Sequence, residues 1–141
     1  MPTNLGNSNK MGIFSSIFGN SSSGENNDNG KAAWISLNSL DQLEEIEKMS
    51  EDRPQFIFKH STSCGISGMV LRMFKQSYSL EPKAADLYYL DLHAYRQISN
   101  KVAEKFGVYH QSPQLLVIKN GEVVAHNSHG GISEMALENY I

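Results

Sequence analysis

Cys64 is the only cysteine of the chain, and it stands in Phe56-Ile57-Phe58-Lys59-His60-Ser61-Thr62-Ser63-Cys64-Gly65-Ile66-Ser67. Here an apolar run ends, a short polar turn follows and a helical pattern begins. A thiolate is the attacking species in sulfur chemistry, and the free N–H groups and dipole of a first helical turn favour negative charge. The placement suggests a reactive thiol. A buried structural cysteine is the ordinary alternative, but Cys64 is flanked by Ser63 and Gly65 rather than by aliphatic side chains. His126 and His129 have a spacing that could suit a metal. With no thiolate partner assigned they make a weak site, and no metal is expected.

The elements that must position Cys64 can be read from periodicity. Ala33-Trp34-Ile35-Ser36-Leu37 can form a short strand, and Asn38-Ser39 then offers a cap to the periodic segment Leu40, Leu43, Ile46, Glu47, Met49. Pro54 introduces Phe56-Ile57-Phe58, a buried strand by its aromatic and β-branched content. After Cys64, the residues Ile66, Met69, Val70, Met73 and Phe74 recur at helical spacing. Leu87-Tyr88-Tyr89-Leu90-Asp91-Leu92 reads as a strand, followed by a helix carrying Ile98, Val102 and Phe106 on one face and ended by Gly107. Two apolar segments, Gln114–Lys119 and Glu122–His126, flank Asn120-Gly121, the residue pair that supplies the positive φ values of a two-residue hairpin turn. Beyond Gly130-Gly131, the residues Ile132, Met135, Ala136 and Tyr140 are expected to form a closing amphipathic helix. Alternating β-α units followed by a hairpin imply an α/β fold, a central mixed sheet flanked by helices.

Composition bounds the rest. The chain has 141 residues, enough for one domain with a proper core. With 12 Lys+Arg against 15 Asp+Glu, its net charge is −3 and no basic stripe appears, so nucleic acid is not an expected partner. A lone cysteine cannot close an intramolecular disulfide, which points to a reducing cytoplasm. Residues 1–32 are read as a disordered leader, because Asn20–Gly30 is built of Ser, Asn, Gly, Asp and Glu. Its apolar island, Met11–Gly19, is short and broken by two serines, so neither a signal peptide nor a transmembrane segment is expected. A weak partner or membrane-surface contact remains open for it. Residues 33–141 form the folded domain, expected to be a monomer.

The element order, with a cysteine opening the second helix and Ser112-Pro113 at the entry to the hairpin, resembles the thioredoxin fold. Within that superfamily the chain is similar to the monothiol bacilliredoxins, the bacillithiol-system thioredoxin-like family. The resemblance rests on Phe58-Lys59-His60-Ser61-Thr62 before Cys64, Ile66-Ser67 after it, His110-Gln111-Ser112-Pro113-Gln114, and Asn127-Ser128-His129 followed by Ile132. Gly65 departs from the family pattern, which usually has proline there. The resemblance implies a cis bond before Pro113, facing the cysteine, with Ser112 backbone groups open to pair with an extended substrate. It implies monothiol exchange: Cys64 takes a low-molecular-weight thiol, bacillithiol or similar, from the mixed disulfide of a client protein, and a second thiol releases it. No bound cofactor is expected, since the small thiol is a co-substrate.

Ser67 stands where dithiol relatives keep a second cysteine, and with Gly65 and Ile66 it is expected to support the thiolate, its hydroxyl reaching the sulfur. Ser112, Pro113, Ser63, Lys59 and His110 are the expected substrate-binding residues, although a lysine such as Lys59 is most often a solvated strand-end residue and a single histidine near a turn such as His110 is more often a satisfied surface residue. Two alternatives stay open. Cys64-Gly65-Ile66-Ser67 is also similar to the Cys-Gly-Phe-Ser signature of monothiol glutaredoxins, some of which share a 2Fe-2S cluster with glutathione in a dimer. A thioredoxin-fold redox sensor or adaptor without turnover is the other.

Overall fold

A computed structural model describes residues 32–141; the apolar island and nearly all of the expected leader lie outside the described residues. Five strands and three helices alternate as the sequence pattern anticipates. They are β1 (Trp34–Ser36), α1 (Asp41–Met49), β2 (Gln55–His60), α2 (Gly65–Ser77), β3 (Asp86–Asp91), α3 (Arg96–Phe106), β4 (Gln114–Lys119) and β5 (Glu122–Ser128). The strands form one mixed sheet in the order β1-β3-β2-β4-β5. β3 lies parallel to both β1 and β2, whereas β4 is antiparallel to β2 and β5.

Side chains alternate across the sheet and divide the core in two. Ile57 on β2, Tyr88 and Leu90 on β3 and Leu116 and Ile118 on β4 face α1 and α3, meeting Leu43, Ile46, Ile98 and Val102. Phe56 and Phe58, with Leu87, Leu115 and Val117, face the other way onto Val70 and Phe74 of α2. β2 is buried along its whole length, as the central position requires. Trp34 leans over this second layer, with its ring centroid 5.8 Å from that of Phe74 and 6.1 Å from that of Phe58.

The turns carry the expected chemistry. Asn120 and Gly121 adopt φ of 53° and 80°, and Lys119 pairs with Glu122 across them. A register shift between Val117 and Ile118 leaves Val124 as the extra residue of a bulge. Gly107, at φ 69°, ends α3 in the left-handed conformation.

Two expectations need correction. Neither Asn38 nor Ser39 caps α1 with its side chain; instead the Gln42 carboxamide oxygen accepts from the backbone N–H groups of both, at 2.7 and 3.0 Å. The closing segment is not an α-helix but two short 3₁₀ stretches, His129–Glu134 and Leu137–Tyr140, interrupted at Met135-Ala136. Ile132 and Leu137 are the residues it buries, five apart and so off a helical period. An apolar pair anchored against α2 sets this path, over a segment too short to nucleate a regular helix on its own.

Candidate active site

The register of the sheet brings three loops to one edge. His60, the last residue of β2, pairs with Asp91, the last residue of parallel β3. Lys59 pairs with Gln114, the first residue of antiparallel β4. The segments 61–64, 92–95 and 109–113 therefore leave the sheet side by side.

Cys64 occupies the N-cap position of α2, in extended conformation at φ −111° and ψ 120°, and is partly exposed. Its N–H donates to Ser61 C=O at 3.2 Å, closing a turn, and its carbonyl accepts the first helical bond, from Gly68 N–H at 3.1 Å. Among the described residues nothing accepts from the amides of Gly65, Ile66 or Ser67, so the first turn keeps the unpaired donors that favour an anion. Ile66 is exposed, and a Cβ added to Gly65 would meet nothing within 4 Å.

Ser67 is fully buried, and its hydroxyl is committed elsewhere than the sulfur. Its Oγ lies 2.8 Å from His60 Nδ1 and accepts from Ser61 N–H at 3.1 Å. Burial lowers the His60 pKa, which Asp91 raises and Lys75 lowers further. Ser67 thereby pins the first turn of α2 to the end of β2. It carries Cys64 indirectly, through the backbone.

His93, from the loop after β3, sits over the same turn. Its Nε2 lies 2.9 Å from both Ser61 Oγ and Ser63 Oγ, and the loop is shaped by Asp91, whose Oδ1 accepts from His93 N–H at 3.1 Å. Ser63 is exposed and bound to this imidazole. His93 thus fastens the residues just before Cys64, and α2 begins just after it.

The Ser112-Pro113 peptide bond is cis. Pro113 is buried, and its carbonyl accepts from His129 N–H at 3.0 Å. No described residue occupies the Ser112 backbone groups, and Ser112 Oγ is buried without a partner. His129 thus serves the loop through its backbone, its own φ being 54°.

Lys59 departs most from expectation. It is neither a solvated strand-end residue nor open to a client, but 0 % exposed, because the β2 alternation turns it toward α3. Its Nζ donates to Ser99 C=O at 3.3 Å and to His110 Nδ1 at 3.4 Å, and burial lowers its pKa to about 8. His110 is exposed. Its pKa is lowered by partial burial, Lys59 and Arg96.

His60, Ser61, His93 and Ser99 complete the site and had no assigned role in the sequence reading. A signal for His93 exists: residues just past the C-terminal ends of parallel strands collect at one edge of an open α/β sheet. Ser99 carried none, since an inward serine on an amphipathic helix reads as a small core residue.

Among the described residues, no helix is long and apolar enough to cross a membrane. A family model described as monothiol bacilliredoxin BrxC matches residues 35–137. A solved structure described by its thioredoxin fold and a provisional oxidoreductase assignment is 34% identical, with a TM-score of 0.63, covering 76% of this chain and 92% of that one. The thioredoxin of Malassezia sympodialis is 19% identical with a TM-score of 0.63, covering 78% of this chain and 92% of its own. The reduced thioredoxin pre-protein of Schistosoma mansoni is 19% identical with a TM-score of 0.58, covering 77% and 98%. The last two share the fold alone. Since the family model spans nearly the whole described region, the chain belongs to the monothiol bacilliredoxin family, a family of thioredoxin-fold thiol oxidoreductases.

Proposed function

We propose that the protein removes a low-molecular-weight thiol, bacillithiol or a similar one, from mixed disulfides on client proteins in a reducing cytoplasm. The observation that carries this reading is the lone cysteine at the start of α2, on the sheet edge that also bears the open Ser112 backbone. Cys64 thiolate attacks the small-thiol sulfur of the client disulfide. A bond forms between Cys64 and that sulfur, the client S–S bond breaks, and the client leaves as thiolate. With no second cysteine in the chain, the Cys64 adduct needs an outside nucleophile. A second small thiolate attacks the outer sulfur, forming a small symmetrical disulfide and freeing Cys64. No bound cofactor enters either step.

In this reading the amides of Ile66 and Ser67, the second and third residues of α2, support the thiolate, and Gly65 opens the turn that presents them. Ser112 and Pro113 dock the client segment, with Ser63 and His110 at the margins. The test is incubation with a model protein carrying a bacillithiol or glutathione mixed disulfide, followed by intact-mass analysis of both partners. Transfer of one adduct mass to Cys64, its release by added thiol, and loss of both in Cys64→Ser are expected. Transfer by Cys64→Ser would overturn the mechanism, and an adduct that forms but is never released would mark a sensor instead.

A further inference from the structure

Lys59 is a buried amine that the exchange chemistry does not use. Its surroundings give it a task. From the centre of the sheet it reaches α3 through Ser99 C=O and the 109–113 loop through His110 Nδ1, at 3.3 and 3.4 Å. Ser99 Oγ approaches the same ring nitrogen at 3.2 Å. A second tie reaches the loop from β4, where Gln114 Nε2 donates to Tyr109 C=O at 2.9 Å. Its outer part, residues 109–111, would otherwise have little to hold it: Tyr109 is 93 % exposed, and His110 and Gln111 are exposed as well. Two buried side chains from adjacent, register-paired strands therefore fasten an exposed loop from below.

The Lys59 bond requires one tautomer of the imidazole. An ammonium has three donors and no acceptor, so Nδ1 must receive the Lys59 bond as a lone pair. Neutral His110 then carries its proton on Nε2. Lys59 and Arg96 are the cations that act on this ring.

We propose that Lys59 is a positioning residue that clamps His110, and through it the Ser112-Pro113 loop, in the conformation that docks the client. This rests on the exchange reading above. A lysine whose role was only to fill the core would lower stability when replaced, without acting selectively on the His110 ring or on client docking.

The test uses the full chain and Lys59→Met, which keeps the stem and removes the ammonium. NMR of the His110 ring should show Nε2–H and a titration midpoint below the ordinary imidazole value in the parent. In Lys59→Met the midpoint should rise and the tautomers mix. KM for a protein mixed disulfide should rise about tenfold, the scale of a misplaced docking group. Reaction with a small aryl disulfide, which needs only Cys64, should stay within about twofold. An unchanged His110 titration, or equal slowing of both substrates, would overturn the clamp. If Lys59→Met does not fold, the parent alone decides: an Nδ1–H tautomer, or a His110 midpoint at the ordinary imidazole value, would overturn the clamp. Should the parent transfer no adduct at all, the exchange reading fails, while the His110 titration still judges the clamp.

Discussion

His60 Nδ1 and Ser67 Oγ, seven residues apart in the chain, meet at 2.8 Å and join the end of β2 to the first turn of α2. The same hydroxyl takes Ser61 N–H. Burial lowers the His60 pKa, and the serine hydroxyl bridges two buried groups, accepting from the Ser61 amide and pairing with Nδ1. Ser67→Ala strands a buried amide and a buried ring nitrogen. A loss of about 1–3 kcal/mol follows, measurable by denaturant unfolding. A loss below about 0.5 kcal/mol, the scale of a neutral surface change, would show that the bond does not hold the junction.

Gly65→Pro should make the protein more stable. Gly65 is the first residue of α2, its added Cβ would meet nothing within 4 Å, and its N–H donates to no described residue. Cys64 already has the extended conformation that a following proline demands. Restricting the unfolded chain is worth about 0.4–1 kcal/mol. An N-cap side chain accepts from the second or third helical amide, here Ile66 and Ser67. Alkylation of Cys64 should therefore keep its rate within about twofold. A large drop would assign the glycine amide itself to the sulfur.

Neighbours on α2 should respond in opposite ways. Phe74 is 6 % exposed and packs its ring 5.2 Å from that of Phe58, whereas Met73 is 47 % exposed. Phe74→Ala is expected to cost about 3–5 kcal/mol, as for large aromatic truncations in a core. Met73→Ala should cost no more than about 0.5 kcal/mol. Thermal and denaturant unfolding of the pair decide this, and a Met73 cost similar to that of Phe74 would mean that the exposed face is covered in solution.

Lys59 gives the stability a pH dependence of known sign. Its folded pKa of about 8 lies below the unfolded value of 10.5, so the unfolded chain binds more protons between these values and stability rises with pH there. Below pH 8 the full burial cost is present, on the order of 3 kcal/mol. The rise ends above 10.5. Buried tyrosines act oppositely at high pH, Tyr78 being raised to about 12. The difference between the parent and Lys59→Met cancels them. That difference should shift in favour of the parent as pH climbs from 8 to 10.5, and a flat difference would mean that the amine is not desolvated.

Local patterns in the chain determined the element order. The apolar run at Phe56–Phe58, the Asn120-Gly121 turn, the Gly107 helix stop and the cysteine at a strand-to-helix junction each depend on neighbours within a few residues. Period and turn chemistry carry such information. What tertiary structure alone decided is which groups share a space. Of five apolar residues at helical spacing on α2, Val70 and Phe74 became core while Ile66, Met69 and Met73 stayed exposed, because a helix meets the sheet along one stripe and periodicity alone does not say which. Lys59 reads as a polar strand end, yet it is buried by α3 and by a loop whose His110 lies 51 residues further along the chain. The closing segment followed two buried anchors rather than a helical period. His93 joined Ser61 and Ser63 only because parallel strands end at a common edge. Burial and hydrogen bonding at this edge depend on contacts between distant segments, and the chain's local chemistry holds no record of them.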